Sequence, residues 1–357
     1  MKIKIGKNII GNYEKSFVIA EMSGNHNASI AQAMKIIMAA KKCGANAIKL
    51  QTYTADTITL NSNKKDFLIP KNSPWHKKKN LWNLYKFAHT PWRWHKKLFK
   101  FANKIGITIF SSPFDESAVD FLESLNCKAY KIASSEINHI PLIEKIAKTG
   151  KPVLLSSGLA SYKDIDLAIK TLRKNNSKKI ILLLCKSNYP AKIEEYDLNL
   201  IKMFKKKYKI IIGLSDHTLG NSLAISSLTL GARVFEKHFK LNKQEKSVDS
   251  FFSQNEDEFK NYIFDIRQIE KSINNKTKTN LRGYKNMRSI YVAKKILKNE
   301  KITKFNIKLK FPLLSSFSLF TYREKSPKLR ITIEKYAKIV PVTVINGPKL
   351  LLSKKLL

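Results

Sequence analysis

Cysteine is scarce in this chain of 357 residues. Cys43, Cys127 and Cys185 lie far apart, and so odd and sparse a set excludes a disulfide framework and implies reduced thiols. Long apolar runs are missing as well. The longest candidate, Ile180 to Cys185, falls far short of the roughly 18 residues that a membrane helix needs. Residues 1–17 mix Lys, Gly and Asn without an apolar core, so no signal peptide is expected and the chain reads as cytoplasmic. With 12 Gly and 11 Pro the composition is not collagen-like, and 43% hydrophobic content is too high for a disordered chain. Length and apolar content together suit one large barrel with a small appended domain.

Acidic residues are the strongest shortage. Asp and Glu number 27 against 67 Lys and Arg, a formal net charge of +40. Such a balance points first to nucleic acid or a membrane surface. Arginine, however, supplies only eight of the 67, and nucleic-acid readers favour its bidentate fork. The lysines also follow helix faces, as Lys96, Lys97, Lys100 and Lys104 do. The charge therefore reads as a solvated surface with no nucleic-acid or membrane partner, although it would attract an anionic substrate.

What is present is alternation. Apolar β-type runs fall at 17–22, 47–52, 108–112, 129–134, 152–157, 179–186, 209–215 and 233–239. Amphipathic helical segments separate them at 30–43, 92–105, 116–125, 142–148, 164–175, 198–207 and 222–230, and 256–273 closes the series. Gly44, Gly106, Gly150 and Gly231 stand where helices should end. Eight such units in about 270 residues predict a (β/α)8 TIM barrel, an α/β fold, over residues 1–282. After the Asn/Lys-rich stretch 274–282 the pattern changes to short β-like pieces at 289–293, 338–344 and 350–352, so residues 283–357 read as a small β-rich domain.

A TIM barrel keeps its chemistry at the C-terminal ends of its strands. Those ends here carry Glu21, Lys49, Gln51, Ser112, Lys131, Ser134, Ser156, Ser157, Ser187, Tyr189, Ser215, His217, Glu236 and His238. Any one serine is as readily a turn or a helix cap. Lysines in a barrel mouth, by contrast, call for an anion. His217 in GLSDHT (213–218) and His238 in EKHF (236–239) end consecutive strands, where two neutral imidazoles can hold one divalent metal. The everyday alternative is two unrelated strand-end histidines, and the company of Ser215, Asp216, Glu236 and Lys237 argues against it. Two lysines, several hydroxyls and a metal suit a phosphorylated carboxylate.

These residues resemble the sialic acid synthase family, the phosphoenolpyruvate-dependent nonulosonate synthases, over essentially the whole chain. IAEMSGNHN (19–27), IKLQTYTADT (48–57), AHTPWRWH (88–95), FSSPFDESAVDFLESL (110–125), KIAS (131–134) and VDSFFS (248–253) look most like the branch of that family that forms pseudaminic acid. The resemblance implies condensation of phosphoenolpyruvate with an acetamido sugar, with C–O cleavage and release of phosphate. It implies that Lys49, Ser112, Lys131, Ser134, Ser156, Ser187 and Ser215 hold phosphoenolpyruvate, and that Gln51, Tyr189 and Asp249 face the sugar with Glu21 and Glu236. Glu21 and Glu236 are the catalytic candidates, Glu21 for proton handling. His217 and His238 would hold Mn²⁺, or Mg²⁺ or Co²⁺ in its place. Residues 283–357 would form an antifreeze-like (SAF) domain crossing to the partner in a domain-swapped homodimer.

The chain departs from the family pattern at three places. CKSNYP (185–190) puts Lys186 where Thr is usual, residues 245–249 lack the usual glycines before Asp249, and Phe311 occupies the place of an Arg that in the family reaches a neighbouring subunit's sugar. The aromatic-rich stretch 74–94, with Trp75, Trp82, Trp92 and Trp94, reads as an extra segment near the mouth, as lid or as core. Competing functions are an N-acetylneuraminate or legionaminate synthase, a metal-dependent aldolase on the same barrel, a decayed synthase kept for dimerisation, and a non-catalytic polyanion binder.

Overall fold

The computed structural model describes residues 1–273 and the short segments 289–292 and 307–310. The chain divides into two compact units, Met1–Asn275 and Lys276–Leu357. The first opens with a hairpin of β1 (Lys2–Ile5) and β2 (Asn8–Gly11). Parallel strands follow: β3 (Phe17–Glu21), β4 (Ala47–Thr52), β5 (Thr108–Pro113), β6 (Tyr130–Ile132), β7 (Val153–Ser156), β8 (Ile180–Cys185), β9 (Ile211–Asp216) and β10 (Val234–His238). Their order, β10-β3-β4-β5-β6-β7-β8-β9, closes on itself, so the expected TIM barrel is the observed fold. Helices α1 (Ile30–Lys42), α2 (Ala55–Ile58), α3 (Leu81–Ala88), α4 (Trp92–Ile105), α5 (Glu116–Ser124), α6 (Ile140–Lys148), α7 (Tyr162–Lys174), α8 (Asn199–Tyr208), α9 (Ser222–Thr229) and α10 (Glu256–Ile273) run between and after the strands.

Strands covered on both faces are apolar along most of their length, which is why these read as near-continuous hydrophobic runs up to their polar C-terminal ends. Every residue of β3, β5, β8, β9 and β10 is buried. The helices bury one stripe only. In α4, Trp94, Leu98, Phe99 and Ala102 face the core, while Lys96, Lys97, Lys100 and Lys104 are exposed. Local signals fix the helix ends: Ser29, Asp115 and Ser161 cap α1, α5 and α7 with their side chains, and Gly106 ends α4 at φ 75°. Gly213 in β9 serves close approach instead, since a Cβ there would meet the Val234 backbone and Leu183. Among the described residues no helix is long and apolar enough to cross a membrane.

The strands read from the sequence agree with the structure to within one or two residues. The hairpin was not anticipated, because its strands are only four residues long, yet Ile3, Ile5 and Ile10 bury completely. The helices α2 and α3 were likewise missed. The tryptophans of the 74–94 stretch divide between both alternatives. Trp94 is core, edge-on to His26, and Trp92 stacks on Phe121 at 4.7 Å. Trp82 binds Asp56 through its indole N–H, and Trp75 reaches over the barrel mouth.

In the second unit β11 (Ser289–Val292) pairs antiparallel with β12 (Ile307–Lys310). The strand expected at 289–293 is therefore present. The boundary at 282/283, the strands read at 338–344 and 350–352, and Phe311 lie outside the described residues.

Candidate active site

The closing seam of the barrel sets the first row of functional groups. His238 of β10 lies beside Glu21 of β3, and Glu21 lies beside Lys49 of β4, so three strand ends present one lateral series to the mouth. Two residues further along β4, on the same face, Gln51 pairs with Ser112 of β5. Parallel register makes these neighbours although the sequence separates them widely.

At the centre four charges interlock. Lys49 Nζ lies 2.7 Å from Glu21 and 3.6 Å from Glu236, and Lys131 Nζ lies 3.0 Å from Glu236. All four side chains are at most 4% exposed, so water screens these contacts little. Burial raises the carboxyl of Glu21 above the ordinary range, with the charge of Glu236 adding to it, and Lys49 only partly opposes this. Glu236 is the reverse case: burial pushes it up, but the Lys131 and Lys49 ammonium groups outweigh burial and hold it down at about 2. Two carboxyls in one cavity are thus driven apart, the pattern that separates a proton-exchanging group from a fixed counter-ion. The lysines find anions within the protein, so their burial alone does not require a phosphate.

Hydroxyls surround this cluster. Lys49 donates to Ser112 Oγ at 3.2 Å, and Ser215 donates to Glu236 at 3.3 Å. Gly158 N–H donates to Ser134 Oγ at 3.0 Å, and a Cβ at Gly158 would press on the hydroxyls of both Ser134 and Ser187. Only glycine lets these two side chains converge there. Ser157 instead turns back onto the Leu183 carbonyl. Ser156 Oγ is buried and has no hydrogen-bond partner among the described residues. A buried orphan hydroxyl costs free energy unless something else completes it, so it marks a place for a polar ligand.

The two histidines face each other with ring centroids 5.4 Å apart. His217 Nδ1 lies 2.6 Å from the Lys186 carbonyl, which can only accept, so Nδ1 carries the proton and Nε2 the lone pair. His238 Nδ1 is buried without a partner among the described residues. Burial lowers both rings below the ordinary histidine range, His217 to about 4, and both are neutral at pH 7. Neutral imidazoles, one pre-oriented by a backbone carbonyl and one with an unpaired nitrogen, fit a divalent cation. Among the described residues no group of three or more His, Cys, Asp or Glu converges as a ligand set, so substrate and water would have to complete the shell. Lys186, the departure from the family pattern, contributes here through its backbone.

An aromatic roof covers the histidines. Tyr189 packs 4.4 Å from His217 and 4.9 Å from Phe252, and Phe252 packs 4.6 Å from His238. Trp75 leans on Tyr189 and Phe251 and donates its indole N–H to the Val248 carbonyl at 2.9 Å. Three loops, after β4, β8 and β10, are joined in this way. Asp249 is buried beneath them, accepting from Ser23 Oγ and, at 3.2 Å, from Gly24 N–H. Its carboxyl is raised by burial. Gln51 bridges Glu21 at 3.0 Å and Ser23 at 3.2 Å, so Asp249 connects through Ser23 and Gln51 to the charged cluster. The glycine-poor loop 245–249 still delivers Asp249 to the mouth.

All the site residues read from the sequence therefore gather at one end of the barrel. Two others were missed. Ser23 is the link just described. Glu136, in the single turn after β6, is buried, and burial raises it to about 7, opposed by Ser135 and by Lys131 and Lys49. Its sequence signal was a carboxylate five residues past Lys131, just beyond the KIAS motif.

The sequence matches the NeuB family over residues 36–278. It is 44% identical over 316 residues to the pseudaminic acid synthase of Helicobacter pylori, covering 86% of this chain and 91% of that protein. It is 42% identical over 306 residues to the pseudaminic acid synthase of Campylobacter jejuni subsp. jejuni, covering 84% and 89%. Among solved structures, the N-acetylneuraminic acid synthetase of Leptospira borgpetersenii, in complex with citrate, matches with a TM-score of 0.70 at 29% identity, over 78% of this chain and 92% of that one. The family match runs from within α1 to past α10, across β4 to β10 though not β3 with its Glu21, and the chain belongs to the NeuB family.

Proposed function

We propose that the chain is a pseudaminic acid synthase, condensing phosphoenolpyruvate with 2,4-diacetamido-2,4,6-trideoxy-β-L-altropyranose. The observation that carries the reaction class is the buried cluster of Glu21, Lys49, Glu236 and Lys131 set against two neutral histidines. The choice of sugar follows the names of the Helicobacter and Campylobacter relatives. A polyanion binder would leave that buried cluster without a use.

In this reading Lys49 and Lys131 take the negative charge of phosphoenolpyruvate, and Ser112, Ser134, Ser156, Ser187 and Ser215 complete its oxygens. Gln51, Tyr189 and Asp249 orient the sugar. His217 and His238 would hold a divalent cation, Mn²⁺ foremost with Mg²⁺ or Co²⁺ as alternatives, which when bound supplies Lewis acidity toward the sugar aldehyde. The enol carbon of phosphoenolpyruvate bonds to the aldehyde carbon of the open-chain sugar, whose oxygen takes up a proton. Water adds at C2 and gives up a proton, and the C–O bond to phosphate breaks. One proton must be delivered and one removed, and Glu21, raised by burial, is placed to exchange them. Glu236 remains ionised as the counter-ion of Lys131.

Glu136 suits the same proton traffic, because a carboxyl near 7 is half protonated at working pH. Glu136→Gln keeps its shape and removes its titration. We expect kcat to fall by roughly 10²-fold, the scale of general acid–base catalysis, and the limb of the kcat–pH profile near neutrality to disappear. A variant that keeps that limb assigns it to another group.

Residues 283–357 enter the proposal as an antifreeze-like domain that completes the partner's sugar site in a cytoplasmic homodimer. Deletion of 283–357 is expected to raise the KM for the sugar and leave that for phosphoenolpyruvate little changed. A truncated chain with full activity would remove this part of the proposal. The whole function is tested by incubating the purified chain with phosphoenolpyruvate, Mn²⁺ and a panel of acetamido sugars, then weighing the acid formed. Product from N-acetylmannosamine alone, or from the legionaminate precursor alone, would move the chain to another branch.

A further inference from the structure

Behind the two histidines, on the opposite face of the same strand ends, lies a second buried ion pair. Lys237 Nζ is 2.9 Å from Asp216 Oδ2, and both side chains are wholly inaccessible to solvent. Asp216 immediately precedes His217, and Lys237 immediately precedes His238. Because strand side chains alternate, the histidines face the mouth with Ser215 and Glu236, while Asp216 and Lys237 face the helical layer. There the Lys237 ammonium lies 5.5 Å from the Tyr262 ring of α10.

The ladder between β9 and β10 has three rungs, Phe235 beside Leu214, Glu236 beside Ser215, and Lys237 beside Asp216. The ion pair is thus the last cross-link before both histidines. Beyond it β9 ends, while the pairing of β10 with β3 continues to His238 beside Glu21. The pair also ties down the turn that follows. Asp216 Oδ1 accepts from Thr218 N–H at 2.9 Å and from its hydroxyl at 2.7 Å, and Lys237 donates to the carbonyls of Thr218 and Gly220. His217 is thereby held from two sides: its ring by the Lys186 carbonyl, its backbone by this lattice. His238, whose Nδ1 has no partner among the described residues, is placed by its backbone and by the packing of Phe252 on its ring.

A fully buried ion pair is a poor way to gain stability, since desolvation consumes most of the attraction and apolar replacements commonly do as well. What it does provide is register, because the ammonium is satisfied only with Asp216 directly across from it. We propose that Asp216 and Lys237 are positioning residues that set the separation and aim of His217 and His238 for a divalent cation. This rests on the two-histidine cation site proposed above.

Direct Mn²⁺ binding tests it, measured from the EPR signal of free Mn²⁺ on the full chain without substrates. The variants are His238→Ala, Lys237→Met, Asp216→Asn and the double variant Asp216→Asn/Lys237→Met, which leaves no unpaired buried charge. We expect the double variant to keep its thermal midpoint and still bind Mn²⁺ about 10- to 100-fold more weakly, the range for loss of groups that orient metal ligands. A folded double variant with wild-type Mn²⁺ affinity overturns the positioning role while leaving the histidine site standing. Equal Mn²⁺ binding by the wild type and His238→Ala instead overturns the two-histidine site, and this proposal with it.

Discussion

Alanine at His217 or His238 is expected to abolish turnover while the barrel stays folded. Neither ring is part of the apolar core, and truncation removes one side-chain hydrogen bond at most, from His217 to the Lys186 carbonyl. The backbone pairing of β10 with β3 runs through main-chain groups and survives the change. What is lost is half of the neutral imidazole pair, and Lewis-acid stabilisation is worth several kcal/mol. At about 1.4 kcal/mol per decade, kcat/KM should fall by roughly 10³-fold or more. Initial rates at limiting Mn²⁺, with circular dichroism to verify folding, provide the measurement. Unchanged activity in either variant would remove the cation from this site.

The barrel was legible because strands buried on both faces cannot hide their composition. Runs such as Ile180–Cys185 have no polar face to blur them, and the intervening amphipathic helices carry their own stops at Gly106 and Gly231. Short elements were not legible. Each strand of the β1–β2 hairpin has four residues, too few for alternation to stand out, and α2 is a single turn. The site was half legible. Strand ends gave away which residues meet, since topology alone brings them to one mouth, but not what they bind to one another. Lys131 and Glu236 are 105 positions apart, and nothing local in the sequence says that the anion awaiting each lysine is a glutamate of the chain itself. Glu136 escaped for a related reason. Its raised carboxyl comes from burial, which the sequence around a strand end does not display.

Lys131→Met is expected to lower kcat/KM for phosphoenolpyruvate by about 10²-fold or more, the scale of a charge-assisted hydrogen bond worth about 2 to 3 kcal/mol. Lys49 pairs with Glu21 and Lys131 with Glu236, so an incoming phosphate must share ammonium groups that already have partners. Losing Lys131 leaves that task to Lys49 and leaves Glu236 with one cation, 3.6 Å away. The variant should therefore also lose stability, because removing one partner of a buried pair costs about 3 to 5 kcal/mol. Lys131→Met combined with Glu236→Gln separates the two effects. With no orphan carboxylate it should recover the thermal midpoint, and with no second ammonium it should not recover affinity for phosphoenolpyruvate. Titration of both variants with phosphoenolpyruvate by calorimetry distinguishes the cases. If the double variant binds phosphoenolpyruvate as the wild type does, or the single variant changes only the KM for the sugar, Lys131 is a structural counter-ion of Glu236 and the phosphate lies elsewhere in the mouth.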